Sequence, residues 1–272
     1  MDSVPFEFIH NVYTTTSCEA YEFGLSLSGS FGYSAKRFWR KRHLKSICMT
    51  NGEIDRITLI DQRGRPVSSE GDLNQAYRIC TVLLFWAWGN APVDKKIIKR
   101  LAMEPGKHVL NIFTSQISEA WINELASWKK LCNVNLRIAS DESVLKLLRM
   151  LLKQLLILSL EFCTPEEIEL AVEFLQQDQF QRLVLHKFEE EHLKAFEGIG
   201  PKKLSGKMVV WRQHVKHVKL HDGTAQKSNV GSSRIRYECS DRILEYTNNR
   251  GFLGMNEEEF MKGVTLSSVR FL

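Results

Sequence analysis

The chain has 272 residues, 43% of them hydrophobic and 25% charged, with a formal net charge of +5. That length can bury a sizeable core in one large or two small domains, and so mild a charge permits an anionic partner without demanding one. The apolar runs around TVLLFWAWG and LLRMLLKQLLILSLEF, the second interrupted by Arg149, Lys153 and Gln154, fall short of the ~20 residues of a membrane span, so no membrane partner is expected.

The first 50 residues read as a helical segment. Pro5 suits a first helical turn, and Phe8, Ile9 and Val12 follow at helical spacing. Gly24, Gly29 and Gly32 make a short, broken middle. SAKRFWRKRHLKS, Ser34 to Ser46, then reads as an amphipathic helix. Ala35, Phe38 and Trp39 fall on one arc, and Lys36, Arg37, Arg40, Lys41 and Lys45 on the other. Residues 1–110 carry 15 basic and 11 acidic side chains, so most of the charge excess lies here.

Residues 51–79 mix the β-type run ITLI with turn residues and read as a linker and first β-type run. From residue 80 to 272 a pattern recurs: a β-type run, an amphipathic helix, another β-type run. The runs are VLLFW (82–86), HVLNIF (108–113), VNLRI (134–138), LLILSL (155–160), RLVLHK (182–187) and HVKHVKL (214–220). Their centres lie roughly 22 to 34 residues apart, the size of one β-plus-helix unit. Pro92 opens a helix carrying Ile97, Ile98 and Leu101. Ser140–Asp141 precedes one carrying Val144, Leu147 and Leu148. Thr164, Pro165 and Glu167 form a capping box with Pro at the first helical position. Alternating strands and helices predict an α/β fold with mostly parallel strands, as an irregular, leucine-rich-repeat-like array or a closed doubly wound sheet. In the tail, VGSSRIRYECSD reads as an edge strand, NEEEFMKG as a short helix and VTLSSVRFL as a last strand.

Little in the sequence points to chemistry. Six cysteines are well separated with no CxxC pair, and Met1–Asp2 does not open a secretory signal. A reduced cytoplasmic or nuclear setting is expected. His214, His217 and His221 lie close together, but a strand splits them between two faces and no Cys or acidic cluster completes a metal site. There is no GxSxG, HExxH, GxxxxGK[ST] or strand-to-helix GxGxxG. Glu166, Glu167 and Glu169 read as solvated first-turn residues. No cofactor and no catalytic residue is expected; only residues distant in the sequence could still assemble a site.

FEGIGPKKLSGKMV resembles the helix-hairpin-helix hairpin of DNA-repair and replication proteins. The match covers Gly198, Ile199, Gly200, Pro201 and Lys202, with Lys203 beside it. The resemblance implies a phosphate held at the start of the second helix. Leu204 replaces the family's small residue, and Ser205 and Gly206 weaken that helix. An ordinary loop between helix and strand is the other reading.

The N-terminal 50 residues resemble a diverged F-box. Val4–Pro5 stands for its opening pair, Phe8, Ile9 and Val12 for its first helix, Leu25 and Leu27 for its middle, and Lys36, Phe38, Trp39 and Arg40 for its end. MDSVPFEFI is also similar to the opening of a large set of nematode proteins with an F-box-like start and an α/β or leucine-rich-like body. The resemblance implies a non-enzymatic adaptor: Pro5, Phe8, Ile9 and Val12 dock on the Skp subunit of a cullin ubiquitin ligase, and the array presents a surface to a substrate protein. Nucleic-acid binding through Gly198, Gly200, Lys202 and Lys203 is the alternative function.

Overall fold

A computed structural model describes residues 27–61, 63–67, 77–86, 93–187, 189, 192, 195–196, 198–212, 225–230, 233–249 and 256–272. Among them are thirteen strands and seven helices, and the fold is α/β with mixed β-sheet. The described residues form two compact units, one up to residue 86 together with 93–110, the other from 111 onwards.

The first unit opens with helix α1 (Gly29–Lys41). Its arcs follow the sequence: Ser34, Ala35 and Phe38 are buried, while Lys36, Arg37, Arg40 and Lys41 are exposed. Trp39 is half-buried beneath the Arg42 guanidinium, 3.1 Å from its ring centre. Gly24 falls outside the described residues, and Gly29 and Gly32, expected in a broken middle, instead lie in the helix's first turn. Gly32 is needed there, because a Cβ would lie 1.8 Å from the Leu27 carbonyl oxygen.

The basic helix ends earlier than its charge pattern predicted. From His43 the chain is strand β1 (His43–Thr50), followed by β2 (Glu53–Asp61), β3 (Pro66–Val67) and β4 (Arg78–Trp86). In β1, His43, Lys45, Ile47 and Met49 alternate as the buried positions, a period of two. Asn51 and Gly52, read as the start of a linker, form the two-residue turn of the β1–β2 hairpin. Both have positive φ, which Asn-Gly tolerates best. β1 also runs parallel to β4.

Lys45 was assigned to a wet helix face; it is instead 2% exposed. Its Nζ donates to Glu104 Oε1 at 2.7 Å, and Arg78 Nη1 donates to Glu104 Oε2 at 2.6 Å. A register shift between His43 and Leu44 brings Arg78 beside His43 on this face. Glu104 caps the C-terminus of helix α2 (Lys95–Met103), which leads into β5 (Lys107–Ile112). α2 starts on Asp94, whose carboxylate accepts from the N–H groups of Lys96 and Ile97. One carboxylate thus joins the α2–β5 corner to two strands.

The second unit repeats one motif. Helices α3 (Glu119–Ala126), α4 (Glu142–Met150) and α5 (Pro165–Leu175) alternate with strands β6 (Leu131–Leu136), β7 (Ile157–Leu160) and β8 (Arg182–Leu185). A one-turn helix α6 (Pro201–Leu204) precedes β9 (Met208–Arg212). β6 to β9 are parallel and adjacent in chain order. Asn133, Ile157, Arg182 and Met208 are register partners, 24, 25 and 26 residues apart. A doubly wound sheet reverses its strand order at a switch point, and β6–β9 do not. α3 packs on α4 and α4 on α5. The array is therefore sequential.

Apolar pairs hold it together: Val134 and Leu136, Leu158 and Leu160, Leu183 and Leu185, Val209 and Trp211, all 2% exposed or less. Trp121, Leu148 and Phe174 from the three helices are fully buried as well. Polar groups tie one repeat to the next. Thr164 and Glu167 form the expected capping box, but Glu167 is not solvated. It is 1% exposed, and its Oε1 accepts from the Ser140 N–H of the preceding repeat. Gln154 donates to Leu131 O, and Gln179, one repeat later, to Leu152 O.

Beyond β9 the sheet turns antiparallel. β10 (Gln226–Val230), β11 (Arg234–Glu238), β12 (Arg242–Thr247) and β13 (Leu266–Phe271) form a meander whose last strand pairs with β9. The expected edge strand is β11, one strand in from the edge, and β13 is internal. Helix α7 (Glu257–Lys262) starts on an Asn256–Glu259 capping box and buries Phe260. β9 lies before HVKHVKL, which falls outside the described residues.

Losing the shared carboxylate would leave two buried cations. Glu104→Gln should therefore lower the unfolding free energy by about 3–5 kcal/mol in urea titration, and a loss under ~1 kcal/mol would contradict the arrangement.

Candidate functional site

The strand side chains that turn away from the apolar pairs form the candidate site, all within the second unit. Aligned by register, the strands read VNLR from Val134, LSLE from Leu158, LVLH from Leu183 and VVWR from Val209, and LNIF from Leu110 joins them through the bonds of Arg137 N–H to Ile112 O and Asn135 to Asn111. The first and third positions of each are packed. The second positions, Asn111, Asn135, Ser159 and Val184, make one row, and Asn135, Ser159 and Val184 are direct register partners. The fourth positions Arg137, Glu161 and His186 lie just past their strands. The ladder continues under them, because Arg137 N–H donates to Ile112 O, Glu161 N–H to Leu136 O and His186 N–H to Leu160 O. Side chains one repeat apart are thereby held side by side.

The contacts follow this grid. Asn135 Nδ2 donates to Asn111 Oδ1 at 2.8 Å. Glu161 Oε2 accepts from Arg137 Nη1 at 3.4 Å and lies 3.2 Å from His186 Nδ1. His186 Nε2 lies 3.2 Å from Ser159 Oγ. An ionised carboxylate only accepts, so the proton belongs on Nδ1, and Nε2 is left to accept from the Ser159 hydroxyl. Asn133, Asn135, Ile157, Arg182 and Val184 are half-buried, so this face meets solvent, while Ser159 is 6% exposed. The group lies at the carboxyl ends of parallel strands. Beyond it the Lys187 ammonium stands 4.3 Å from the Phe162 ring centre, and Cys163 Sγ–H donates to Lys187 O.

Pro5, Phe8, Ile9 and Val12 fall outside the described residues, as do His214, His217 and His221. Among the described residues no cluster of three or more His, Cys, Asp or Glu could hold a metal ion. No described helix is long and apolar enough to cross a membrane.

Gly198, Gly200, Lys202 and Lys203 lie in the β8–β9 connection. The second helix that the hairpin resemblance requires is only α6, four residues long, ended by Gly206 at φ +77 before β9. Lys203 Nζ pairs with Asp178 at 3.2 Å. Lys207 is buried, and its Nζ donates to Leu175 O at the end of α5 at 2.6 Å, where a cation suits the helix terminus. Burial pushes the Lys207 amine below the usual lysine range. Lys202 is exposed.

Ser159, Glu161 and His186 were missed because no local motif contains them. Their signal is the repeat itself. Asn111, Asn135 and Ser159 are spaced 24 residues apart, each a polar residue inside an apolar run. No family model matches the chain, and no curated protein matches it.

Burial, followed by the nearby Glu167 carboxylate, pushes the Cys163 thiol up to about 12. The folded state holds this proton more tightly than the unfolded state does. The resulting stability is complete below about pH 9 and is lost as pH rises through about 12. At pH 8, alkylation of Cys163 by iodoacetamide, followed by peptide mass spectrometry, should be about a hundredfold or more slower in the folded chain than in urea. Equal rates would contradict this environment.

Proposed function

We propose that the chain is a protein-interaction module. In this reading its repeats form a leucine-rich-repeat-type array, and the row running from Asn111 through Asn135, Arg137, Glu161 and His186 holds a partner protein. The observation that supports it is the half-buried Asn135, Arg137, Glu161, Val184 and His186, second and fourth positions on successive parallel strands and all on the side away from the packed pairs. Stacked repeats turn such positions into one continuous surface, and its mixture of amide, guanidinium, carboxylate and apolar groups suits another protein's surface.

The F-box-like start completes the proposal. Pro5, Phe8, Ile9 and Val12 would dock on a Skp-type subunit, coupling the partner to a cullin ubiquitin ligase in the cytoplasm or nucleus. The amphipathic helix α1, with Phe38 inward and Lys36, Arg37 and Arg40 outward, suits the closing helix of such a segment. The F-box-like portion then ends at residue 41, because His43–Thr50 is a sheet strand.

Full-length chain mixed with a purified Skp-type subunit at micromolar concentration should co-elute in size exclusion. Phe8→Glu should abolish co-elution, while Arg182→Glu, on the array, should leave it unchanged. Failure of the wild-type chain to co-elute would overturn the docking half of this reading.

A further inference from the structure

The interaction reading makes no use of the order in which Ser159, His186 and Glu161 stand. We propose that Ser159 is a nucleophile that accepts the acyl group of a carboxylic ester or thioester, with His186 as its general base and Glu161 as the residue that orients the imidazole and stabilises the imidazolium as it forms.

Four observations carry this. The atoms are in relay order: carboxylate to Nδ1 at 3.2 Å, Nε2 to hydroxyl at 3.2 Å. Glu161 therefore fixes the tautomer whose free lone pair faces the hydroxyl proton. The framework is also rigid. Ser159 sits in β7 with β6 and β8 hydrogen-bonded on either side, and the backbones at Glu161 and His186 extend those ladders. Preorganisation of this kind is what a nucleophile–base pair needs. Third, Ser159 is the shortest side chain of its row. It is 6% exposed, with half-buried Asn135 and Val184 as its register partners on the face that meets solvent. Fourth, an amide donor is adjacent. The backbone N–H groups of β7 belong to its ladders, so an oxyanion must be met by side chains, and Asn135, in register with Ser159, carries an amide with a second N–H besides the one that Asn111 accepts.

In the reaction, the Ser159 oxygen forms a bond to the acyl carbon as its proton passes to His186 Nε2. The carbon–oxygen or carbon–sulfur bond of the substrate then breaks, and the alcohol or thiol leaves with that proton. Water, deprotonated by the same nitrogen, releases the carboxylic acid and restores the hydroxyl. No oxidant or metal is consumed.

The test is covalent labelling of the full-length chain with a fluorophosphonate, read by peptide mass spectrometry. Attack on phosphorus expels fluoride and leaves the phosphonyl group on Ser159. One adduct per chain at Ser159 is expected, absent in urea. His186→Gln should slow labelling by about a hundredfold, and Glu161→Gln should slow it as well. Circular dichroism establishes whether each variant folds. If His186→Gln does not, the wild-type chain decides alone: its labelling rate must rise with pH through a single ionisation. No adduct at Ser159 in the folded wild-type chain, an unchanged rate in folded His186→Gln, or a flat pH profile would overturn the proposal. A purely structural hydrogen-bond ladder would produce one of those results.

Discussion

The in-register pairing of one parallel strand per repeat is the constraint on which the second unit depends. Each strand offers two packed positions and two turned away, and the backbone ladder decides which neighbours each residue meets. Leu158 and Leu160 lie beside Leu183 and Leu185 only because Ile157 pairs with Arg182. A slip of one residue would move every packed leucine to the outer face. Repeat-to-repeat polar contacts resist that slip. The buried Glu167 carboxylate serves its own helix cap and the preceding repeat's Ser140 at once, and a side chain so placed fits only one register.

The same pairing makes chemistry out of residues that are far apart in the chain. Arg137, Glu161 and His186 belong to three repeats, yet they meet because the ladder carries on past the strand ends. His186 is tied laterally to Glu161 and diagonally to Ser159. A surface of this kind can bind a partner through its breadth and still hold one reactive group in fixed geometry. The first unit solves a different problem with a charge: Glu104 neutralises Lys45 and Arg78 where a strand register shift has turned an arginine inward.

Much of this architecture was legible in the residues, and the reasons are local. The Thr164–Pro165–Glu167 box, the apolar arc of Ala35 and Phe38, and the runs at 82–86, 108–113, 134–138, 155–160 and 182–187 each write their structure within a few residues. Non-local effects were not legible. Lys45 continues a basic helical pattern by composition, but the alternation of His43, Lys45, Ile47 and Met49 wins because β1 pairs on both sides. Glu167 reads as a solvated first-turn residue until the preceding repeat covers it. The Ser159–His186–Glu161 group needed the register, and only alignment of LSLE with LVLH would have hinted at it.

The account rests most on the orientation of the His186 imidazole, since that one ring joins the repeat ladder to the reactive hydroxyl. Long-range nitrogen–proton NMR of the folded chain above the histidine range reports it directly. The account predicts the neutral tautomer protonated at Nδ1, with Nε2 unprotonated toward Ser159. A ring protonated at Nε2, or one averaging between tautomers, would contradict it.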